Sequence, residues 1–187
     1  MTRRALILVD PQYDFMPGGK LPVPEGDEIV PAVNDLLKAP WDLVVVSQDW
    51  HPPKHSSFLV NGGTWPEHCV QNSHGSMVHG DIVVPFDYVS ILKGTEIEGD
   101  AYSAFCGREN LMDALLDAII DDVYVCGLAT DYCVKATALD SADSTFKTYL
   151  VLDACRGVNV SQGDSDHAVD AMVETGVIVT NVRKVLG

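Results

Sequence analysis

The sequence predicts an α/β protein, a three-layer α/β/α sandwich built around a six-stranded, mainly parallel sheet. Short, almost continuous apolar runs alternate along the chain with amphipathic stretches. Such runs are typical of strands buried on both faces of a parallel sheet, and their alternation with helices is typical of βαβ units. Helices are therefore expected to cover both faces of the sheet.

The strands and helices follow from these two patterns in chain order. Strands are predicted at residues 5–9, 43–46, 88–92, 123–126, 149–152 and 177–179. Helices are predicted at residues 27–38, 111–120, 131–144 and 164–175. In the first helix, Ile29, Val33 and Leu36 share one face. The second has the strongest apolar stripe, and this stripe extends through Ile119 and Ile120.

One region, from about residue 50 to 87, interrupts the alternation. It is rich in Pro, Gly, His and Asn, and it holds five of the 6 histidines and two of the 3 tryptophans. A connection of this length inside a compact domain is usually functional or disordered. We expect a single domain over residues 1–187, with a functional loop region at about 50–87 that binds metal and substrate.

Composition and charge exclude several classes of protein. The formal charge is −15, from 12 Lys and Arg against 27 Asp and Glu, and this repels nucleic-acid phosphates and anionic lipids. No apolar run approaches the roughly 20 residues of a membrane span. The apolar stretch near the start, residues 5–9, is shorter than the roughly 7–15 residues of a signal peptide. We therefore expect neither a nucleic-acid nor a membrane partner.

The 5 cysteines also bear on the cellular compartment. Their count is odd and the chain is not small, so a disulfide framework is not expected. Reduced thiols in the cytoplasm are the expectation. A homo-oligomer is neither predicted nor excluded by any feature of the sequence.

Reactive side chains follow the first four predicted strands. Asp10 ends the first strand, Asp49 and His51 follow the second, Lys93 ends the third, and Cys133 lies in the turn after the fourth. Ligands of open parallel sheets bind beyond the carboxyl ends of the strands. We therefore expect these groups to meet at one edge of the sheet.

Each of these residues also has an ordinary interpretation. Asp10 could cap a turn, Lys93 could be a solvated charge, and Cys133 could be a packed thiol. The position of Cys133 favours a reactive rather than a packed thiol, because exposed N–H groups in the first turn of a helix stabilise a thiolate. The same N–H groups can hold an oxyanion. An acid and a lysine nearby would supply a base and a charge partner.

A second group of residues predicts a metal site. Asp49 and His51 are separated by one residue, and His68 follows after 16 more. Two imidazoles and a carboxylate suit zinc, with iron and manganese as alternatives. Histidines of a solvated loop are the competing interpretation. His55 is open between an extra ligand, a hydrogen-bond donor to a ligand and a residue that fixes the loop.

These residues and the motifs around them resemble those of a known family. It is similar to the nicotinamidases, also called pyrazinamidases, of the isochorismatase-like cysteine hydrolases. The matching segments cover most of the chain in the expected order: LILVDPQYDFMPGG at 6–19, VVSQDWHPPKHSSF at 45–58, TWPEHCVQNSHG at 64–75, ILKGTEIEGDAYSAF at 91–105, GLATDYCVKATALDS at 127–141 and DACRGVN at 153–159. The combination of WPEHCV with GLATDYCV is the most specific, and the Asp-x-His…His set distinguishes nicotinamidases from carbamoyl and isochorismate hydrolases.

The resemblance implies a role for each residue. The catalytic triad would be Asp10, Lys93 and Cys133, and the metal ligands would be Asp49, His51 and His68. The oxyanion would be bound by the backbone N–H groups of Ala129 and Cys133, with a cis peptide bond before Ala129. The pyridine ring would lie among four aromatic side chains, Phe15, Trp65, Tyr102 and Tyr132, although Tyr102 and Tyr132 could be ordinary core or rim residues.

The implied reaction is hydrolysis of nicotinamide, and of pyrazinamide, to the acid and ammonia through a cysteine thioester, in NAD salvage. The small-molecule amide is the expected partner. The metal would bind the ring nitrogen of the substrate or activate water, and the sequence is compatible with both roles. Two alternatives remain: a related hydrolase of another small amide or carbamoyl compound, and a catalytically silent homologue that binds metal or ligand.

Overall fold

The structure is a computed structural model, and it describes residues 2–99, 101–107, 109–144 and 146–187. Its sheet has six strands: β1 (Arg4–Val9), β2 (Leu43–Asp49), β3 (Val89–Lys93), β4 (Asp122–Leu128), β5 (Lys147–Arg156) and β6 (Ile178–Thr180). Their order is β3-β2-β1-β4-β5-β6. Every neighbouring pair is parallel. The predicted fold class is confirmed, and the sheet is wholly parallel in the described part of the chain.

Helices flank this sheet on both faces. They are α1 (Ile29–Leu37), α2 (Leu111–Asp117), α3 (Lys135–Ala142), α4 (Asp164–Glu174) and α5 (Val182–Leu186). Helix α1 connects β1 to β2, toward the β3 edge of the sheet. Helix α3 connects β4 to β5 and α4 connects β5 to β6, toward the opposite edge. Because such crossovers are right-handed, α1 lies on one face and α3 and α4 on the other. Within the described residues, no helix is both long and apolar enough to cross a membrane.

The strand order reverses direction between β1 and β4. These two strands lie side by side at the centre of the sheet, and their connections leave toward opposite edges. A crevice opens at such a point beyond the carboxyl ends of the strands. The two central strands therefore direct Asp10 and Cys133 into the same crevice.

The region from 50 to 87 contains two single 3-10 turns, Leu59–Asn61 and His74–Ser76. Two isolated bridges order this region. His51 pairs with Val70 in parallel within it, and Val78 pairs with Gln12 in antiparallel fashion. The second bridge connects the region to the segment after β1.

The second helix ends earlier than its apolar stripe predicts. Helix α2 stops at Asp117, and Ile119 has a left-handed backbone with φ 52°. The N–H of Ile120 donates to the Leu115 carbonyl, and the N–H of Ile119 donates to the Leu116 carbonyl. These are the two bonds of a Schellman motif, in which a glycine usually occupies the left-handed position. The motif buries Ile120 against the core and leaves Ile119 71% exposed.

We predict that Ile119→Gly stabilises the protein. A β-branched residue in the left-handed region costs about 1–2 kcal/mol, and the exposed side chain contributes little packing. A gain of about 1 kcal/mol would raise the melting temperature by about 2–4 °C in a chain of this size. Ile119→Ala is the matched control and should gain less, because alanine keeps the Cβ. A melting temperature below that of the wild type for Ile119→Gly would contradict the prediction.

Candidate active site

The predicted reactive residues lie at or just beyond the carboxyl ends of four neighbouring strands, β3, β2, β1 and β4. Asp10 directly follows β1, and Asp49 and Lys93 are the last residues of β2 and β3, where they face each other in register. Cys133 lies in a π-helical turn, Thr130–Val134, between β4 and α3. The first turn of a regular helix was expected there. The parallel register therefore brings residues from four distant parts of the chain together.

The ammonium group of Lys93 is the centre of this cluster. Its Nζ lies 2.8 Å from Asp10 Oδ2 and 3.3 Å from Cys133 Sγ, and it also donates to Asp49 Oδ1. Asp10 and Lys93 are almost fully buried, and Cys133 is 7% exposed. One cation thus links both carboxylates to the thiol in a largely buried site.

Burial and charge set the protonation of these groups. Burial raises the pKa of the Asp10 carboxyl above its usual value, although Lys93 lowers it. Burial also raises the pKa of the Cys133 thiol well above its usual value, against the lowering effect of Lys93. Burial alone would lower the pKa of Lys93, but Asp10 and Asp49 raise it well above its usual value. Burial therefore opposes ionisation of the Cys133 thiol, whereas the Lys93 ammonium favours it.

Ser47 holds both the carboxylate and the backbone of Asp10 in place. Ser47 Oγ donates to Asp10 Oδ1 at 2.7 Å, and the Asp10 N–H donates to the Ser47 carbonyl at 3.1 Å. Asp10 itself has a left-handed backbone with φ 46°. Ser47 is fully buried on β2, so it fixes the carboxylate relative to the neighbouring strand.

Three buried side chains next to this cluster form a set that can hold a metal. Ligand atoms of Asp49, His51 and His68 lie within 4.8 Å of one another. Asp49 Oδ2 is 3.5 Å from His51 Nε2 and 3.8 Å from His68 Nε2. Ligands of a tetrahedral zinc ion at about 2.1 Å are separated by about 3.4 Å, so these spacings fit a divalent ion.

The tautomers of the two histidines also fit a metal. His51 Nδ1 faces the Gly94 carbonyl at 3.0 Å, and His68 Nδ1 faces the Pro66 carbonyl at 2.7 Å. Each Nδ1 must carry the proton to bond a carbonyl, which leaves the Nε2 lone pair toward Asp49. Burial lowers the pKa of His68 and so favours the neutral ring. Gly94 is required there, because a Cβ on it would overlap the His51 ring.

Asp49 connects the metal set to the lysine cluster. Its Oδ1 accepts from Lys93 and its Oδ2 faces the histidines. Burial alone would raise the pKa of Asp49, but Lys93 and the histidines lower it well below its usual value. Asp49 is therefore ionised and available as a ligand.

His55 lies beside this set but is not one of the three clustered ligands. It is buried, its ring centroid is 4.2 Å from that of His51, and its Nδ1 lies 2.7 Å from Ser57 Oγ. The contact with Ser57 is the feature expected of a residue that fixes the loop.

A cavity with mainly apolar walls lies in front of Cys133 and the metal set. The four aromatic residues expected at the substrate, Phe15, Trp65, Tyr102 and Tyr132, all line it. The rings of Trp65 and Tyr132 meet edge to face at 5.1 Å, and Trp65 Nε1 donates to the Tyr102 hydroxyl at 3.2 Å. Sequence reasoning missed several further lining residues, namely Leu21, Val23, Ser57, Ala101, Leu128 and Val158.

The turn that carries Cys133 also lines the cavity. Ala129 and Cys133 are both part of the wall, and the peptide bond between Leu128 and Ala129 is cis, as the resemblance implies. The Ala129 carbonyl accepts from the N–H groups of Tyr132 and Val134. The turn is thus closed by its own backbone around the thiol.

Sequence reasoning also missed three buried polar residues around the site. Ser47 contacts Asp10, Gln12 contacts the backbone of Asp49, and Asp14 contacts the backbone next to His68. A signal was present for Gln12 and Asp14, because both are polar residues in the short segment after the apolar first strand. Their contacts depend on loops that the sequence does not position.

Comparisons with known proteins agree with this geometry. The sequence model described as the isochorismatase domain matches residues 4–184. The chain is 42% identical to the nicotinamidase of Escherichia coli, over 94% of this chain and 93% of that protein. It is 43% identical to the pyrazinamidase of Pyrococcus horikoshii, solved in complex with zinc, with a TM-score of 0.88 over 96% of this chain and 99% of that one.

A third relative is the PnC1 protein of L. infantum, whose structure is in complex with nicotinate. Its TM-score is 0.92 at 33% identity, over 97% of this chain and 94% of that one. These likenesses extend over nearly the whole chain, through the sheet and the segments that carry the clustered residues. The chain belongs to the isochorismatase domain family.

Proposed function

We propose that the protein is a nicotinamidase, an amidase that hydrolyses nicotinamide, and also pyrazinamide, to the acid and ammonia. The observation that carries this proposal is a buried thiol, bonded to a lysine between two carboxylates, beside a three-ligand metal set in one aromatic cavity. Relatives named nicotinamidase, with 42% and 35% identity, support the choice of substrate. The acid product would return to NAD synthesis.

Asp49, His51 and His68 would hold one divalent ion. Zinc is the first choice, since a similar pyrazinamidase was solved with zinc and since neutral imidazoles with a carboxylate suit it. Iron and manganese suit the same donors. When bound, the ion supplies a Lewis-acidic position for the substrate or water next to the thiol.

In the first half of the reaction, Asp10 is the base. Its raised pKa makes it a better proton acceptor than an ordinary aspartate. It takes the proton of Cys133, and the Lys93 ammonium at 3.3 Å stabilises the sulfur anion as it forms. The sulfur then attacks the carboxamide carbon. The N–H groups of Ala129 and Cys133 stabilise the negative oxygen.

In the second half, Asp10 is first the acid. It gives the proton to the leaving nitrogen, ammonia departs, and a thioester with Cys133 remains. Asp10 then accepts a proton from a water molecule that attacks the thioester, and it returns that proton to the Cys133 sulfur as the acid product leaves. Lys93 stays charged throughout, because its pKa is well above its usual value.

The cavity suits a flat heteroaromatic amide. Trp65, Tyr102 and Tyr132 form one aromatic wall, and Phe15 lies next to His68, with ring centroids 5.7 Å apart. Aromatic walls favour planar rings through offset and edge contacts. The ring would therefore lie between the wall and the metal set, with its amide toward Cys133.

We also propose that residues 1–187 form one domain in which the loop region at about 50–87 completes the site. The family match over residues 4–184 supports one unit. The region supplies His51, His55, Ser57, Trp65 and His68 to the cavity wall. The small amide is the proposed partner, and neither a nucleic acid nor a membrane lipid is needed for the reaction.

We predict that the purified, reduced and metal-loaded protein releases ammonia from nicotinamide at about 1 per second or faster, an ordinary enzyme turnover. An N-carbamoyl amino acid is the matched control and should be a far poorer substrate, because it lacks the flat ring. Ammonia measured in a coupled assay decides between them. Preference for the carbamoyl compound would replace nicotinamide with the alternative substrate class.

Two variants separate the thiol from the metal. Cys133→Ala should lower turnover by at least about 10³-fold while metal content stays at the wild-type value, because the nucleophile is lost and the ligands are intact. Asp49→Ala should lose metal and activity together. Metal per protein is measured by atomic emission, with the exposed Asp35→Ala as control. Turnover by Cys133→Ala would overturn the covalent mechanism, and full metal content in Asp49→Ala would exclude that ligand.

A third prediction concerns pH. Asp10 must be ionised to act as base, so activity is lost as pH falls through its pKa, which is raised above that of an ordinary aspartate. The Ser47 hydrogen bond stabilises the carboxylate and lowers this pKa. Ser47→Ala should therefore move the acid limb of the kcat/KM profile to higher pH. Ser141→Ala, which removes a buried hydroxyl bonded to Thr148, is the control. An acid limb that moves to lower pH, or not at all, would contradict Asp10 as the base.

A further inference from the structure

We propose that Gln12 and Asp14 are positioning residues that set the geometry of the metal ligands; this inference rests on the proposed metal site. Both side chains lie on the segment that follows β1, two and four residues after Asp10. Both are buried, and neither contacts the cavity in front of Cys133. Gln12 holds the residue that supplies the carboxylate ligand, and Asp14 holds the turn that supplies the second histidine.

The Gln12 side chain forms hydrogen bonds with the backbone of Asp49 on both sides of the Asp49 Cα. Its Nε2 donates to the Asp49 carbonyl at 2.8 Å, and its Oε1 accepts from the Asp49 N–H at 2.8 Å. The second Nε2 proton goes to the Ser76 carbonyl at 2.9 Å. Both amide protons and the amide oxygen are thus used, and Gln12 is fully buried. The peptide groups before and after the Asp49 Cα are fixed by one side chain.

These hydrogen bonds are important because the two oxygens of the Asp49 carboxylate have different partners. One oxygen accepts from Lys93, and the other faces His51 and His68. Rotation of the Asp49 backbone would move both oxygens at once. A hydrogen bond on only one side of the residue would still permit that rotation, whereas bonds on both sides resist it.

The Asp14 carboxylate binds the backbone of the segment that carries His68. Its Oδ2 accepts from the Cys69 N–H at 2.7 Å, and its Oδ1 accepts from the Lys20 N–H at 3.2 Å. Cys69 directly follows His68 and has a left-handed backbone with φ 45°. The Cys69 carbonyl accepts from the His51 N–H at 3.0 Å, so the two histidine segments are also joined. Asp14 therefore fixes His68 relative to His51 through the backbone of one turn.

The segment after β1 thus carries three polar side chains in alternation, and each faces a different part of the site. Asp10 faces the thiol, Gln12 faces Asp49, and Asp14 faces the His68 turn. Groups that orient metal ligands without touching the ion commonly contribute about 10- to 100-fold to metal affinity. We expect Gln12 and Asp14 to act at this level, because each fixes a ligand by short, buried bonds.

The test compares metal affinity in matched variants. Gln12→Met keeps the length of the side chain and removes all three hydrogen bonds. Gln48→Met is the control, since Gln48 is a neighbouring buried amide that also donates to the Ser76 carbonyl, at 2.9 Å, without touching the Asp49 backbone. The metal dissociation constant, measured for cobalt(II) by chelator competition, should rise by about 10- to 100-fold in Gln12→Met and stay near the wild-type value in Gln48→Met.

A spectroscopic signature distinguishes positioning from general destabilisation. The visible absorption bands of bound cobalt(II) report the ligand arrangement, so they should change in Gln12→Met and not in Gln48→Met. Asp14→Asn is the second variant, to be used if Gln12→Met does not fold; it places an amide N–H against a backbone N–H and should weaken metal binding through His68. Circular dichroism of the metal-free proteins confirms folding in each case.

The outcomes separate this proposal from the metal site on which it rests. Wild-type affinity and an unchanged cobalt spectrum in the folded Gln12 and Asp14 variants would overturn the positioning role while leaving the metal site intact. An equal loss of affinity in Gln48→Met would also overturn it, because the effect would then belong to buried amides in general. A wild-type protein that binds no cobalt(II) would overturn both.

Discussion

The buried ammonium of Lys93 is the interaction on which the rest of the site depends. An ion placed in the interior without a partner is strongly unfavourable, so two carboxylates and one cation can lie there only in mutual contact. Lys93 meets Asp10 and Asp49 and still reaches the sulfur of Cys133. The two carboxylates nevertheless outweigh the single ammonium by one negative charge. The second oxygen of Asp49 faces His51 and His68, and a divalent cation bound there would compensate this charge.

The topology of the sheet determines why these charges can meet. Parallel strands present all their carboxyl ends at one edge, and the reversal of strand order between β1 and β4 opens a crevice there. Asp49 and Lys93 are register partners on β2 and β3, so their contact follows directly from strand pairing. Asp10 and Cys133 flank the reversal itself. The loop region at about 50–87 then folds over this edge and adds His68 and Trp65.

Much of this arrangement is predictable from the sequence, because strands buried on both faces leave continuous apolar runs and reactive residues end or closely follow four of them. The residues expected at the site lie together, although their catalytic and ligand roles stay predictions. Three features were not predictable. The burial that raises the pKa of the Cys133 thiol is a property of the assembled core. The contacts of Gln12 and Asp14 depend on loop positions, and the early end of α2 depends on a left-handed Ile119 where glycine is usual.

The dispersal of the site along the chain has a consequence for how the protein acquires reactivity during folding. The six clustered groups are spread along the chain from Asp10 to Cys133, and only Asp49 and His51 are neighbours in sequence. Contacts at such sequence separation form late, since the loop-closure entropy must be overcome first. A chain whose first three strands have paired could hold the Asp49 carboxylate against Lys93, yet it would lack a nucleophile until β4 inserts beside β1. Cys133 therefore meets Lys93 only once β4 has paired with β1, and the complete site is a property of the closed central sheet.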